Sequence, residues 1–153
     1  MSTPLIREAA SQDCEELAAL RHSLWPDASA ADHAEELKLL LVGKFPGTLP
    51  YAILVAEHEG PIVGFVEVGL RSRADGCDPA QPVGYLEGWY VRPEWRRRRV
   101  GSLLVAEAEA WARRHGCKEM ASDTWLDNLD SQRAHAGLGY EVVDRCVNYR
   151  KAL

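Results

Sequence analysis

The sequence predicts an α+β (mixed α/β) fold, a sheet with an antiparallel hairpin and a parallel crossover, and three observations carry that expectation. Tyr51 to Glu57 and Ile62 to Leu70 are β-rich runs separated by Glu59-Gly60-Pro61, which is hairpin punctuation, so the two runs pair antiparallel. The runs Gly84 to Val91 and Cys117 to Asp123 are joined by a strongly amphipathic helix, and a helix between two strands implies a parallel crossover. At 153 residues with 46% hydrophobic and 27% charged side chains, the chain matches one ordinary globular domain, residues 1–153, large enough to bury a core without staples.

The remaining elements follow from local signals. Leu5 to Ala9 reads as a short strand. Ser11 can cap a helix in which Cys14, Leu17, Ala18, Leu20, Leu24 and Trp25 recur at helical spacing until Pro26. Ser29 and Asp32 form a capping-box pattern for a second helix, whose stripe is Leu37, Leu40 and Leu41, before the break from Gly43 to Pro50. Arg71 to Val83, with Gly76, Asp78, Pro79 and Pro82, reads as a loop long enough to suggest a functional use. Val100, Leu103, Leu104, Ala108, Trp111 and Ala112 share one face of the crossover helix, which Gly116 stops. A helix around Leu129 to Leu138, ended by Gly139, and two strands near Tyr140 to Val143 and Val147 to Lys151 complete the order.

Charge and cysteine usage narrow the function classes. With 18 Lys+Arg against 23 Asp+Glu the net charge is −5, which disfavours a nucleic-acid binder and suits a cationic ligand. Cys14, Cys77, Cys117 and Cys146 show neither C-x-x-C pairing nor zinc-finger spacing, so no metal is expected and the thiols are read as free. No window has the length of a membrane span, and Met1 to Ala10 lacks the basic start and apolar run of a signal peptide; the expected compartment is the cytoplasm.

The junction from Val91 to Gly101 is the most informative stretch. A strand ends before Pro93, the basic turn Arg96-Arg97-Arg98-Arg99 follows, and a helix opens at Val100-Gly101. Such a turn gathers unpaired N–H groups and the positive end of a helix dipole in one place, which is an anion site. It is not a Walker loop, because the Gly-Lys-Ser/Thr ending is missing.

Arg96-Arg97-Arg98-Arg99-Val100-Gly101 resembles the acetyl-CoA loop of the GCN5-related N-acetyltransferases, Gln/Arg-x-x-Gly-x-Gly/Ala, matching at Arg96 and Gly101 and placing Arg99 where the middle glycine stands. Leu86-Glu87-Gly88-Trp89-Tyr90-Val91 is similar to that family's fourth strand, Ser122-Asp123-Thr124 to the end of its fifth, and Asn128 with Leu138-Gly139-Tyr140 to its Asn…Leu-Gly-Phe signature. Leu24-Trp25-Pro26-Asp27, Gly76-Cys77-Asp78, Met120-Ala121-Ser122-Asp123-Thr124 and the ending Glu141 to Lys151 bring the resemblance closest to the aminoglycoside 6′-N-acetyltransferases.

The resemblance implies a fold in which strands four and five splay apart around the pantetheine arm of acetyl-CoA, the co-substrate. Backbone at Trp89, Tyr90 and Val91 would bond that arm, Arg96, Arg97, Arg98, Arg99, Val100, Gly101 and Ser102 would hold the pyrophosphate, and Asn128 would reach the pantetheine amide region. It also implies a polycationic amine as acceptor, a homodimer formed through the C-terminal strands, and resistance as the consequence of acetylation.

Candidate chemistry has two readings at each residue. Glu87 shares a face with Trp89 and Val91 if the strand alternates; it is either the base that takes the ammonium proton or a strand-edge partner of an arginine. Asp123 is either a capping aspartate at a strand end or a second carboxylate for the amine. Trp25 is either core or a wall for a sugar face, and His135, at the position of a tyrosine acid in the family, is either an exposed helix residue or the donor to departing thiolate. The resemblance adds Asp144 as a third acidic contact and places Arg73 where relatives carry a substrate-loop tyrosine. The other function classes are acetylation of another amine (a polyamine, a metabolite or a protein N-terminus), a non-catalytic acyl-CoA-binding module, and nucleic-acid binding through the arginine run.

Overall fold

The computed structural model describes residues 2–44, 47 and 49–153; Met1 and part of the Gly43 to Pro50 break lie outside the described residues. One five-stranded sheet runs in the order β1 (Leu5–Glu8), β2 (Tyr51–Glu57), β3 (Ile62–Arg71), β4 (Val83–Val91) and β5 (Met120–Ser122). The first four strands pair antiparallel, and β4 with β5 is the parallel pair. The β2–β3 turn holds Glu59 at φ 53° and Gly60 at φ 111°, the left-handed conformations a tight hairpin requires.

Helices cover both faces of this sheet. α1 (Cys14–Leu24) and α2 (Ala30–Leu41) lie on one face, where Leu17, Leu20 and Leu37 pack against Ile53, Val55 and Phe65. α3 (Val100–Arg114) lies on the other, where Val100, Leu104, Ala108 and Trp111 pack against Val66, Val68, Leu86 and Val91. Residues 62–69 of β3 are buried on both faces, as a central strand with helices above and below must be. The Ser29–Asp32 capping box forms: Asp32 N–H donates to Ser29 Oγ at 3.0 Å and Ser29 N–H to Asp32 Oδ2 at 3.3 Å. α4 (Leu129–Gly137) follows β5.

Three expectations are corrected. Ser11 is not the cap of α1: residues 11–13 form a 3-10 turn, and the side chain that accepts is Asp13, whose Oδ2 takes Ala10 N–H at 2.7 Å. The strand expected from Cys117 to Asp123 is only Met120–Ser122, because its partner β4 offers pairing at Gly84, Tyr85 and Leu86 alone. No strand forms near Tyr140 to Val143 or Val147 to Lys151; among the described residues this tail pairs with no strand, and it leaves Val142, Val143, Val147 and Tyr149 exposed.

Candidate functional site

The arginine run forms a cradle on the α3 side of the sheet. After β4 a 3-10 turn, Pro93–Trp95, leads to Arg97 at φ 61° and Arg99 at φ 64°, and α3 begins at Val100. Two left-handed arginines in three residues mean that the turn does demand the conformation a glycine adopts freely. Leu103 N–H makes the first helical bond, to Arg99 O at 3.0 Å, while Val100, Gly101 and Ser102 N–H groups have no backbone acceptor among the described residues. Trp89 lies across this first turn. A Cβ on Gly101 would sit 2.9 Å from Trp89 Cζ2 and 3.1 Å from Nε1, so only glycine admits the indole there. The Trp89 Nε1 donor is itself buried without a hydrogen-bond partner among the described residues. All four arginines are exposed; Arg96 Nε donates to Val91 O at 2.9 Å, and the Arg98 guanidinium stands 5.2 Å from the Trp95 ring centre.

Beside the cradle the sheet opens. β4 and β5 are last in register at Leu86 and Ser122, so Glu87 to Val91 have no strand on that edge. Arg92 N–H bonds Val63 O on the β3 side at 2.9 Å; by alternation the N–H groups of Trp89 and Val91 point the other way, into the opening.

Glu87 is not on the face of Trp89 and Val91. Glu67 of β3 pairs with Gly88 and Val68 with Leu86, which leaves Glu87 as the extra residue of a β-bulge. The bulge turns Glu87 and Gly88 both toward α1, while Trp89 and Val91 face α3. The strand therefore presents a carboxylate on one side and the cradle's indole on the other.

Glu87 opens onto a cleft of about 670 Å³ whose walls include Trp25, His33, Glu36, Tyr51 and Arg71. Trp25 ends α1 and lies on Gly88, where a Cβ would meet its ring carbons at 2.5 and 2.6 Å; its indole is thus a wall of the cleft and not core. Glu87 takes two hydrogen bonds from Arg71, Nε at 2.9 Å and Nη2 at 2.7 Å, and this bond raises the Arg71 pKa above its ordinary value. The arginine partner expected for a strand-edge glutamate thus exists, but it comes from β3 and not from the arginine run. The Arg71 guanidinium lies 3.5 Å from the centre of the Tyr85 ring, and Tyr85 OH donates to Asp123 Oδ1 at 2.9 Å. Burial, with that hydrogen bond second, pushes the Tyr85 phenol up and keeps it a donor. Glu87 and Asp123 are linked through Arg71 and Tyr85.

His135 of α4 reaches Ser122 at the mouth of the opening, Nε2 to Oγ at 2.8 Å. Its Nδ1 lies 2.7 Å from Ser131 O, a carbonyl that can only accept, so Nδ1 carries the proton in the neutral ring and Nε2 accepts from Ser122. The ring meets Trp89 and Tyr140 edge-on, at 5.6 and 5.8 Å. Asn128 is the N-cap of α4, its Oδ1 accepting Ser131 N–H at 3.1 Å. Arg73 lines a second cleft on the far side of Arg71, and Asp144 lies exposed in the tail, its Oδ1 accepting Arg145 N–H at 2.7 Å.

The acetyltransferase (GNAT) family model matches residues 14–140. The chain belongs to this family. It is 40% identical to the aminoglycoside N(6′)-acetyltransferase type 1 of Stenotrophomonas maltophilia over 99% of this chain and 95% of that one. It is also 40% identical to the Klebsiella aerogenes protein of the same name, over 99% of each. Its fold superimposes on AAC(6′)-Iy in complex with CoA at TM-score 0.88 and 33% identity, covering 100% of this chain and 98% of that one. AAC(6′)-Iy bound to the bisubstrate analogue CoA-S-monomethyl-acetylneamine matches at TM-score 0.81 and 36% identity, over 99% and 100% of the two chains.

Within this GNAT chain several site residues escaped the sequence reading. Arg71 and Tyr85 were read as loop and strand residues without chemistry. Glu67, fully buried, receives Arg21 Nε at 2.6 Å, Arg21 Nη2 at 2.7 Å and the Tyr51 hydroxyl at 2.5 Å, and so anchors two of the side chains that line the cleft. A signal for Glu67 was available: it is the lone charge inside the apolar run Ile62 to Leu70.

Proposed function

We propose that the protein is an acetyl-CoA-dependent N-acetyltransferase acting on the 6′-amino group of aminoglycosides, a single catalytic domain over residues 1–153. The observation that supports this most is the two-sidedness of β4 at the bulge: an anion cradle with the Trp89 indole on one face, and Glu87 at the head of a cleft on the other. Coenzyme A fits the cradle in kind, since its pyrophosphate needs several N–H donors and Val100, Gly101 and Ser102 supply them at a helix start flanked by Arg96, Arg97, Arg98 and Arg99. Trp89, Tyr90 and Val91 would border its pantetheine arm, and Asn128, whose Oδ1 caps α4, keeps its amide NH2 for that arm. When bound, acetyl-CoA supplies an activated acetyl thioester.

The side chains perform the rest. Glu87 takes the proton that the substrate ammonium must lose before its nitrogen becomes a nucleophile, directly or through water. Trp25 packs against a sugar face; Arg73, Asp123 and Asp144, which lie outside the Glu87 cleft, would meet the parts of the acceptor that extend beyond it, the carboxylates attracting its remaining ammonium groups. His135, protonated at Nε2, returns a proton to the leaving sulfur, with Ser122 beside it. Direct transfer requires no covalent enzyme intermediate, and the chemistry calls for no metal. Loss of one positive charge weakens an aminoglycoside's hold on anionic RNA, which is the basis of resistance. The enzyme would act in the cytoplasm, without binding nucleic acid or membrane. It would act as a homodimer whose exposed tail, with Val142, Val143, Val147 and Tyr149, finds its pairing partner in a second copy.

Release of CoA thiol in the presence of kanamycin tests the reading. The expected result is turnover that Glu87→Gln lowers or whose pH profile it changes. Wild-type protein that binds acetyl-CoA but turns over no aminoglycoside refutes the acceptor, and a small polyamine in the same assay separates the alternative amine class. An unaltered rate and profile in Glu87→Gln removes Glu87 as the base.

A further inference from the structure

Arg71 stands where the reaction needs something else. Both oxygens of Glu87 are occupied by it, Oε1 by Nε at 2.9 Å and Oε2 by Nη2 at 2.7 Å, which is the full two-pronged geometry of a guanidinium on a carboxylate. If Glu87 takes a proton from a substrate ammonium, that ammonium has to approach the same two oxygens. The fork uses one lone pair on each oxygen, so an ammonium that reaches the remaining ones stands within a few ångströms of the guanidinium and is repelled by it.

Arg71 also has a place to go. Its guanidinium rests 3.5 Å from the centre of the Tyr85 ring, a cation–π contact that does not involve Glu87. It forms the wall between two clefts: the Glu87 cleft, and a second one of about 460 Å³ that Arg73, Asp75 and Tyr85 also line. The side chain is 44% exposed and Glu87 is 26% exposed, so the pair is open enough to exchange partners and is not locked in the core as Arg21 and Glu67 are, at 4% and 0%.

We propose that Arg71 is a specificity-determining residue: a resident cation that holds the ammonium position beside Glu87 in the free protein and yields it to an incoming primary ammonium. This rests on the acceptor reading above and deepens it. A neutral amine gains little by displacing a guanidinium, whereas an ammonium replaces one cation by another and leaves Glu87 paired throughout. The residue therefore weakens binding of every acceptor by the strength of its own ion pair and selects acceptors that arrive charged and bring further cations for Asp123 and Asp144.

The test is steady-state kinetics of Arg71→Met and Arg71→Lys with kanamycin, beside Arg114→Gln as a variant that removes one positive charge at the far end of α3. Arg71→Met is expected to lower the kanamycin KM about 5-fold at low salt, the factor equivalent to the roughly 1 kcal/mol of a partly exposed ion pair. The change in KM exceeds the change in kcat and shrinks as salt is raised. Arg71→Lys falls between Arg71→Met and wild type, and Arg114→Gln leaves KM where it was. A KM that is unchanged or raised in Arg71→Met overturns the proposal, since Arg71 then orients Glu87 or only braces the sheet. Arg71→Gln serves as the second variant if the methionine variant melts early. Wild-type protein without aminoglycoside turnover refutes the acceptor reading and the proposal together; turnover with an insensitive KM refutes the proposal alone.

Discussion

Arg99 is the one position where this chain departs from the acetyl-CoA loop it otherwise resembles, and the geometry turns the departure into a measurable strain. At φ 64° its Cβ crowds the following carbonyl, which costs an L-residue about 1–2 kcal/mol relative to glycine. The side chain is exposed and makes no hydrogen bond or ion pair among the described residues, so Arg99→Gly loses no polar interaction there. Set against this is the greater freedom of glycine in the unfolded chain, about 0.5–1 kcal/mol. The balance favours the variant by roughly 0.5–1 kcal/mol, and for a chain of 153 residues that raises Tm by about 1–4 °C. Thermal melts of ligand-free protein read the strain alone. Calorimetric titration with CoA then reads the separate loss of a guanidinium from the cradle. A Tm for Arg99→Gly below that of wild type would mean that the arginine stabilises the fold through a contact, and that its left-handed backbone is not a net cost.

Other perturbations probe neighbouring links. Gly101→Ala brings a Cβ within 2.9 Å of Trp89 Cζ2, so the indole must shift off the cradle; CoA affinity measured by calorimetry should fall about tenfold, equivalent to roughly 1.4 kcal/mol. Glu67→Gln strands Arg21, which is 3% exposed and among the described residues retains only the outer Glu36 as an ionic partner; urea denaturation should show a loss of about 3 kcal/mol. Arg21→Met combined with Glu67→Gln should cost less than the sum of the single changes. Asp13 receives both prongs of Arg7, at 2.7 and 2.9 Å, and Arg7 holds its carboxyl below the ordinary carboxylate range. Its stabilisation is therefore complete above the unfolded value of about 4 and is lost as pH falls through the lower folded value. The urea midpoint of wild type should drop across that acid window more steeply than that of Asp13→Asn, and parallel curves would contradict it.

Most signals confined to a few consecutive residues were legible, the Ser11 cap being the exception. The Glu59-Gly60-Pro61 turn, the Ser29–Asp32 box and the strand–turn–helix at Val91 to Gly101 each depend on local backbone preference, and each formed as read. What depended on pairing across the sheet was not. The bulge at Glu87 exists only because Val68 takes Leu86 and Glu67 takes Gly88; no property of β4 alone announces the extra residue, and without it alternation put Glu87 on the wrong face. Arg71 and Glu87 are 16 residues apart and Arg21 and Glu67 are 46 apart, so their pairing needs the tertiary fold. The tail shows a different limit. Val142, Val143 and Val147 have strand-like composition, but β propensity becomes a strand only where a neighbouring edge is in reach.

In the proposed reaction β4 separates an anion cradle from an amine cleft, and acetyl passes between them at the bulge. The product formed from acetyl-CoA and kanamycin, identified by mass spectrometry and NMR, shows whether it does. One acetyl group on the 6′-nitrogen, formed in step with free CoA, is expected. Binding of acetyl-CoA with no acetylated product, or an acetyl group on a different nitrogen, rules this route out.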